Sequence, residues 1–419
     1  MSEPFSFEIH TDLDLVASEV PTQRVLELVV IPPSARIAAS RPALNLALVI
    51  DRSGSMSGDK IDNVRRAAAH VLDLLSEQDQ VAIVAYDDTI NLLSPSQHVT
   101  PQARSLLKSR IEELLPGNMT NLCGGWLSGC EEIAKGANGS AGQLNRALLL
   151  TDGLTNVGIT DLEEIGQHAG QLLNKGIATA TFGVGMDFNE HLLEHMANQG
   201  GGRFYFIAHP HAIPSIFVQE FRELAAVTAQ AVEVTLEIPA QVDAKVLGSW
   251  RSEQNGQTLR LWLGDIPAGQ RREMYLRLLI PPQGGQSAPI GQAELPITAQ
   301  VSARGEQGEA LAASAQVTFK CAPRVQVAAA PMRQDVMQRF SQVEMADAVT
   351  EALKLERAGQ REQASQLIGQ NLAAAAPYLP KQDQAEYQQL SERMLHGLDE
   401  KARKTSHQQA YATKQRRSD

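Results

Sequence analysis

The chain has 419 residues, 43 % of them hydrophobic and 20 % charged. That is the composition of ordinary globular protein with room for two or three cored domains, and it excludes a largely disordered chain. The formal net charge of −11 argues against nucleic acid as the main partner. No stretch approaches the ~20 apolar residues of a membrane span. The N-terminal Met1-Ser2-Glu3-Pro4-Phe5 has neither a basic n-region nor an apolar h-region, so the sequence predicts a cytoplasmic protein.

In chain order, Phe5–His10 and Arg24–Ile31 are strand-like. Leu44-Asn45-Leu46-Ala47-Leu48-Val49-Ile50 reads as a buried parallel strand. Ile61, Val64, Ala68, Val71, Leu72 and Leu75 recur at helical spacing, which predicts a helix over Asp59–Leu75. Gln80–Tyr86 is a β-rich run. Thr100-Pro101 supplies an N-cap and a first-turn proline for a helix to Leu115. A second apolar run, Ala147-Leu148-Leu149-Leu150, follows. Thr160-Asp161-Leu162-Glu163 reads as a capping box opening a helix to about Lys175. A strand over Ile177–Val184, a short helix near Asn189–Asn198, the strand Phe204–Ile207 and a helix from about Pro214 to Val227 complete the alternation. Gly200-Gly201-Gly202 reads as a turn before Phe204.

Alternating strands and helices imply a doubly wound, mostly parallel sheet covered on both faces. From Thr228 the pattern changes to period two. Val232, Val234, Leu236 and Ile238, then Leu259, Leu261 and Leu263, then Met274–Leu278, Leu295–Val301 and Ala313–Phe319 predict an antiparallel β-sandwich. The two N-terminal strands have no partner of their own, so they are expected to join that sandwich, with the α/β unit inserted between its strands. Residues 333–400 read as helical. The expected layout is N-terminal strands over 1–40, an α/β domain over 41–228, the sandwich over 229–328, a helical appendage over 329–403 and a basic tail over 404–419. Residues 401–419 hold six Lys or Arg and one Asp and read as a solvated, frayed end, docking on an acidic partner being the alternative.

The chemistry concentrates after the buried runs. Asp51-Arg52-Ser53-Gly54-Ser55 follows the first and Thr151-Asp152-Gly153 the second, with Thr120 between them in Asn118-Met119-Thr120-Asn121-Leu122. Parallel strands would gather these loops at one sheet edge, where open α/β sheets bind ligands. Two carboxylates and three hydroxyls form an oxygen-only set, which suits a hard cation such as Mg²⁺. Asp51 and Asp152 acting only as helix caps or turn residues is the bland alternative.

Asp51-x-Ser53-x-Ser55, then Thr120, then Asp152-Gly153, resembles the metal-ion-dependent adhesion site of von Willebrand factor type A (VWA) domains. The match in order and spacing runs from roughly Leu44 to Ala229. The resemblance implies that Ser53, Ser55 and Thr120 donate hydroxyl oxygens to Mg²⁺, Mn²⁺ or Ca²⁺, and that Asp51 and Asp152 act directly or through water. It implies a non-enzymatic module in which a partner protein's Asp or Glu completes the metal's shell. The alternative it implies is an adaptor subunit beside an AAA+ ATPase of the chelatase or MoxR type, or beside a kinase and phosphatase. Met119 departs from the pattern, since many members carry Gly before the Thr. The sandwich-plus-insert layout is similar, more loosely, to bacterial proteins resembling inter-alpha-trypsin inhibitor heavy chains.

Other motifs point to different chemistry. His191-Leu192-Leu193-Glu194-His195 matches H-x-x-E-H, with His191 and His195 as zinc ligands and Glu194 as base, which makes a zinc hydrolase the enzymatic alternative. No G-x-x-x-x-G-K-[ST] loop occurs, which argues against an intrinsic ATPase. Asp87-Asp88 reads as a turn. Three cysteines make no disulfide framework and fit a reducing compartment. Cys123 and Cys130 fall on one face of an expected helix and read as small buried residues, since such positions lie ~10 Å apart.

Overall fold

A computed structural model describes residues 4–34, 41–137, 142–282, 294–415 and the backbone of 417–418. Three short strands open the chain: β1 (Ser6–Thr11), β2 (Leu15–Ala17) and β3 (Thr22–Ile31). The α/β unit follows as β4 (Leu44–Asp51), α1 (Asp59–Leu74), β5 (Gln80–Tyr86), β6 (Ile90–His98), α2 (Pro101–Glu112), α3 (Leu122–Gly136), β7 (Leu144–Thr151), α4 (Leu162–Asn174), β8 (Ile177–Val184), α5 (Glu190–Gln199), β9 (Gly201–Ile207) and α6 (Ile213–Ala225).

The strand order is β6-β5-β4-β7-β8-β9, parallel throughout except for β6, which runs antiparallel beside β5. Side-chain alternation on β4 divides the core. Leu44, Leu46, Leu48 and Ile50 pack under α1, α2 and α6, while Ala47 and Val49 pack under α3, α4 and α5. A strand apolar on both faces can sit only at the centre of such a sheet.

The helix boundaries follow local chemistry. Thr100 caps α2 by accepting from the Ala103 amide, with Pro101 at the first helical position. The cap of α4 is Asp161, whose side chain accepts from the Glu164 amide, so the N-cap expected at Thr160 lies one residue later. The strand after Gly200 also starts early. Gly201, at φ +65°, adopts the left-handed conformation expected of a turn glycine, but it and Gly202 already belong to β9, and a Cβ on Gly202 would come within 2.0 Å of the Thr179 carbonyl oxygen, so Gly202 permits close strand approach.

The chain leaves α6 directly into β10 (Val227–Glu237), followed by β11 (Asp243–Leu247), β12 (Arg251–Asn255), β13 (Thr258–Pro267), β14 (Arg271–Ile280), β15 (Glu294–Arg304) and β16 (Ala310–Ala322). One sheet runs β1-β3-β14-β11 and the other β12-β13-β10-β15-β16-β2. Their inner faces share one core, in which Leu26, Leu28 and Val30 meet Val234, Leu236 and Leu276. The doubly wound α/β unit is thus inserted in a sandwich that is antiparallel except where β2 runs parallel to β16.

Helices finish the chain: α7 (Arg324–Ala329), α8 (Gln334–Arg357), α9 (Arg361–Ala375), α10 (Lys381–His396) and α11 (Glu400–Lys414). Through Gln415 the basic tail is helical and docked rather than frayed. Asp399 caps α11, and Lys404, His407, Tyr411 and Lys414 are buried against the α/β unit. A run of cations stays ordered here because each buried one meets an acid, as described below. Among the described residues no helix is long and apolar enough to cross a membrane.

Candidate metal centre

The carboxyl ends of β4 and β7 are neighbours in register, with Ile50 opposite Leu150. Asp51 and Asp152 therefore emerge side by side. Asp51 is fully buried and its oxygens are held in place: Oδ1 accepts from the Ser53 amide at 2.8 Å and Oδ2 from the Thr151 hydroxyl at 2.6 Å. The chain then turns through a short 3₁₀ segment, Gly54–Met56, which lifts Ser53 and Ser55 over the sheet edge. Their hydroxyl oxygens lie 3.2 Å apart, and Ser55 donates to Asp152 Oδ1 at 2.7 Å.

Thr120 arrives from the loop between α2 and α3. A Cβ placed on Gly153 would lie 3.5 Å from the Ser55 hydroxyl and 3.6 Å from that of Thr120, so the two hydroxyls flank the same glycine. All five residues singled out in the sequence are therefore brought to one spot. Met119 does not prevent it. Thr120 is fixed by its backbone instead, its amide donating to Asn156 Oδ1 at 2.9 Å while its carbonyl accepts from the Asn156 and Val157 amides.

The loop carrying Thr120 is locked to the loop carrying the serines. The Gly54 amide donates to Asn118 O and the Gly117 amide to Arg52 O. Gly117 has to be glycine, since a Cβ there would stand 1.8 Å from Asp87 Oδ2. Asp87 is more than a turn residue: it is buried and pairs with Arg52 at 2.8 Å.

Sequence reasoning missed three contributors. Thr151 orients Asp51, Asn156 holds Thr120, and Lys60, in the first turn of α1, donates to Asp152 Oδ2. Thr151 stood beside a recognised aspartate and was legible by adjacency. Lys60 and Asn156 act across loops and carry no local signal.

Burial pushes the Asp51 carboxyl up to about 6, against the hydrogen bonds from Ser53 and Thr151 and with added repulsion from Asp152. Two acids held this close in a dry site favour an incoming cation. The donor set fits a hard divalent ion, being entirely oxygen and partly preoriented. Among the described residues no three His, Cys, Asp or Glu side chains gather as metal ligands, so this mixed carboxylate and hydroxyl cluster differs from a soft-metal site.

The H-x-x-E-H motif has a different occupation. Glu194 Oε1 accepts from Lys414 Nζ at 2.9 Å and Oε2 lies 2.6 Å from His407 Nε2. His191 packs edge-on against the His407 ring, and His195 sits between Gly166 and Glu163 of α4. A carboxylate neutralising an ammonium group is not poised as a general base. Cys123 and Cys130 are buried on α3, and burial pushes both thiols up, Cys123 to about 11.

Residues 45–219 match the family model for the von Willebrand factor type A domain. That segment of the chain is a VWA domain. The uncharacterized protein YfbK of Escherichia coli K12 is 28 % identical over 296 residues, which are 69 % of this chain and 50 % of that protein, so the chain matches about half the length of this relative. Human inter-alpha-trypsin inhibitor heavy chain H3 is 26 % identical over 166 residues, covering 38 % of this chain and 18 % of that one. The solved structure of a von Willebrand factor type A protein from Catenulispora acidiphila superposes with a TM-score of 0.73 at 19 % identity, covering 99 % of this chain and 97 % of that chain. The fold likeness thus reaches past the VWA domain to the sandwich and the terminal helices. VWA domains are generally interaction modules rather than enzymes.

Proposed function

We propose that this VWA domain is a metal-dependent docking site for another protein. Ser53, Ser55 and Thr120 would hold the cation through their hydroxyls, and Asp51 and Asp152 directly or through water. The observation that carries the proposal is the convergence of these five side chains at the carboxyl edge of the parallel sheet. Mg²⁺ is the natural occupant, with Mn²⁺ or Ca²⁺ as substitutes, because neutral hydroxyls and few carboxylates suit a hard ion that keeps part of its water. A cation so held supplies a positive coordination position that takes an anion from outside. The chain's own residues do the rest: Asp51 and Asp152 supply charge, Thr151 and Asn156 set orientation, and the locked loops keep the site rigid.

The anion we assign is an Asp or Glu of a protein partner. Three buried cysteines with no disulfide among them support a reducing compartment. Titration calorimetry of the full chain with Mg²⁺ and Mn²⁺ tests the metal. Heat of binding is expected in the wild type and lost in Asp51→Ala, and absence of heat in the wild type would remove the proposal. Affinity capture with and without EDTA then reads the partner, and an AAA+ ATPase, a kinase or a phosphatase released by EDTA would place the domain in the corresponding assembly.

A further inference from the structure

The apolar surface of the molecule is unevenly distributed. Among the described residues ten large apolar side chains stand exposed, and three of them lie on two loops of the metal site. Leu115 is 66 % exposed, Met119 50 % and Leu154 57 %. Met119 precedes Thr120, Leu154 follows Asp152 by two positions, and the Leu115 carbonyl accepts from the Arg52 guanidinium at 3.4 Å. None of these side chains is needed to hold the loops, which are tied by backbone bonds and by Asn156. Exposed apolar groups next to a rigid polar site mark a contact surface.

The charges around that rim narrow the ligand. Asp59 at the start of α1, Asp88 after β5 and Asp187 after β8 are exposed near the same sheet edge. Of the cations there, Arg52 and Lys60 are already paired with Asp87 and Asp152, and Arg65, which donates to the Leu114 carbonyl beside Leu115, is paired with Asp62. A partner bearing several acids would meet these aspartates as like charges, and only one of its carboxylates could reach a metal position.

We propose that the site selects a protein segment with a single Asp or Glu flanked on both sides by large apolar residues and by no other acid. This rests on the metal-dependent docking reading and adds its specificity: Leu115, Met119 and Leu154 form the rim that buries the flanking side chains. Burying one or two such side chains against the rim amounts to about tenfold or more in affinity.

The test uses the full chain saturated with Mn²⁺ and fluorescence anisotropy of labelled synthetic peptides. One carries a single glutamate between leucine and phenylalanine, a second the same glutamate between serines, and a third a run of four glutamates. The first is expected to bind about tenfold tighter than the second, with the third weakest, and EDTA is expected to abolish all binding. In the double variant Leu115→Ser with Leu154→Ser, the first two peptides should become equal while Mn²⁺ binding by calorimetry stays as in the wild type. Equal affinities in the wild type, preference for the glutamate run, or no peptide binding with Mn²⁺ bound would each overturn the rim proposal while leaving metal binding intact. Absence of Mn²⁺ heat would instead remove the reading beneath it.

Discussion

Two pairs of acids among those the VWA domain buries are completed in opposite ways. Glu190 and Glu194 lie one turn apart on α5, and the distant C-terminal helices supply their cations. Lys404 Nζ donates to Glu190 Oε2 and to the Phe188 carbonyl, both at 2.8 Å, and Arg357 pairs with Glu190 Oε1 at 2.8 Å. Lys414 and His407 take Glu194. Asp51 and Asp152, at the carboxyl edge, receive hydroxyls and a backbone amide but, among the described residues, only Lys60 as a cation. Burial pushes the carboxyls of Asp51, Glu190 and Glu194 up. On α5 the lysines more than reverse it, so that Glu190 sits down at about 2 and Glu194 is also held low, whereas Asp51 stays up at about 6. One pair is neutralised by the polypeptide and serves as a fixed joint, and the other keeps unspent negative charge and suits a mobile ion.

The largest effect is expected from unmaking the joint. Lys414→Met leaves Glu194 buried with His407 alone, and breaking a buried pair from one side costs about 3–5 kcal/mol. Urea denaturation measures the loss. The double variant Lys414→Met with Glu194→Gln removes both charges and should recover much of it. A single-variant loss below about 1 kcal/mol would show that the pair is spectator to folding.

The joint also has a defined acid limit. A carboxylate whose folded pKa is depressed contributes stability above its unfolded value, 4.5 for Glu190, and loses it as pH falls through its folded value, about 2. The α11 helix should therefore remain docked at about pH 4 and detach only near pH 2. The Phe204 amide, which donates to the Tyr411 hydroxyl at 3.0 Å, is the reporter. Its hydrogen-exchange protection, corrected for intrinsic rates, should be constant down to about pH 4, and loss of protection near pH 5 would contradict the assignment.

These two regions differ in how they read from sequence. The five-residue oxygen cluster was legible because its members sit near the carboxyl ends of unmistakable buried strands and are polar where the pattern demands a turn. Even Thr120, distant in sequence and preceded by an unusual Met119, reached the cluster. The joint was not legible. Lys404, His407 and Lys414 look like a solvated tail until Glu190 and Glu194 are seen some 210 positions earlier, and pairings at that separation leave no periodicity. The same acids, read locally, produced the misleading H-x-x-E-H motif. Strand β6 escaped for a related reason: it is an edge strand carrying Pro95, with half its residues facing outward.

Lys60 is where the two solutions meet, since it is a built-in cation at the site proposed for a free one. Lys60→Met removes a positive charge that touches Asp152 Oδ2 and repels an approaching dication. The expected result is about tenfold tighter Mn²⁺ binding by calorimetry, from a screened repulsion of roughly 1–2 kcal/mol. Weaker binding would mean that Lys60 positions Asp152 rather than competing for it.

The smallest effect separates positioning from charge. Asn156→Ala deprives the Thr120 amide of its side-chain acceptor but leaves every charge at the site in place. One neutral hydrogen bond at a partly exposed residue is worth about 1 kcal/mol, so stability should fall by that much and Mn²⁺ affinity only severalfold. The joint offers the contrast: its contribution is electrostatic, whereas the Asn156 effect should not change between low and high salt, because no ionised group is involved. A loss of Mn²⁺ affinity as large as that of Asp51→Ala would mean that the placement of Thr120, and not the carboxylate charge, is what holds the ion.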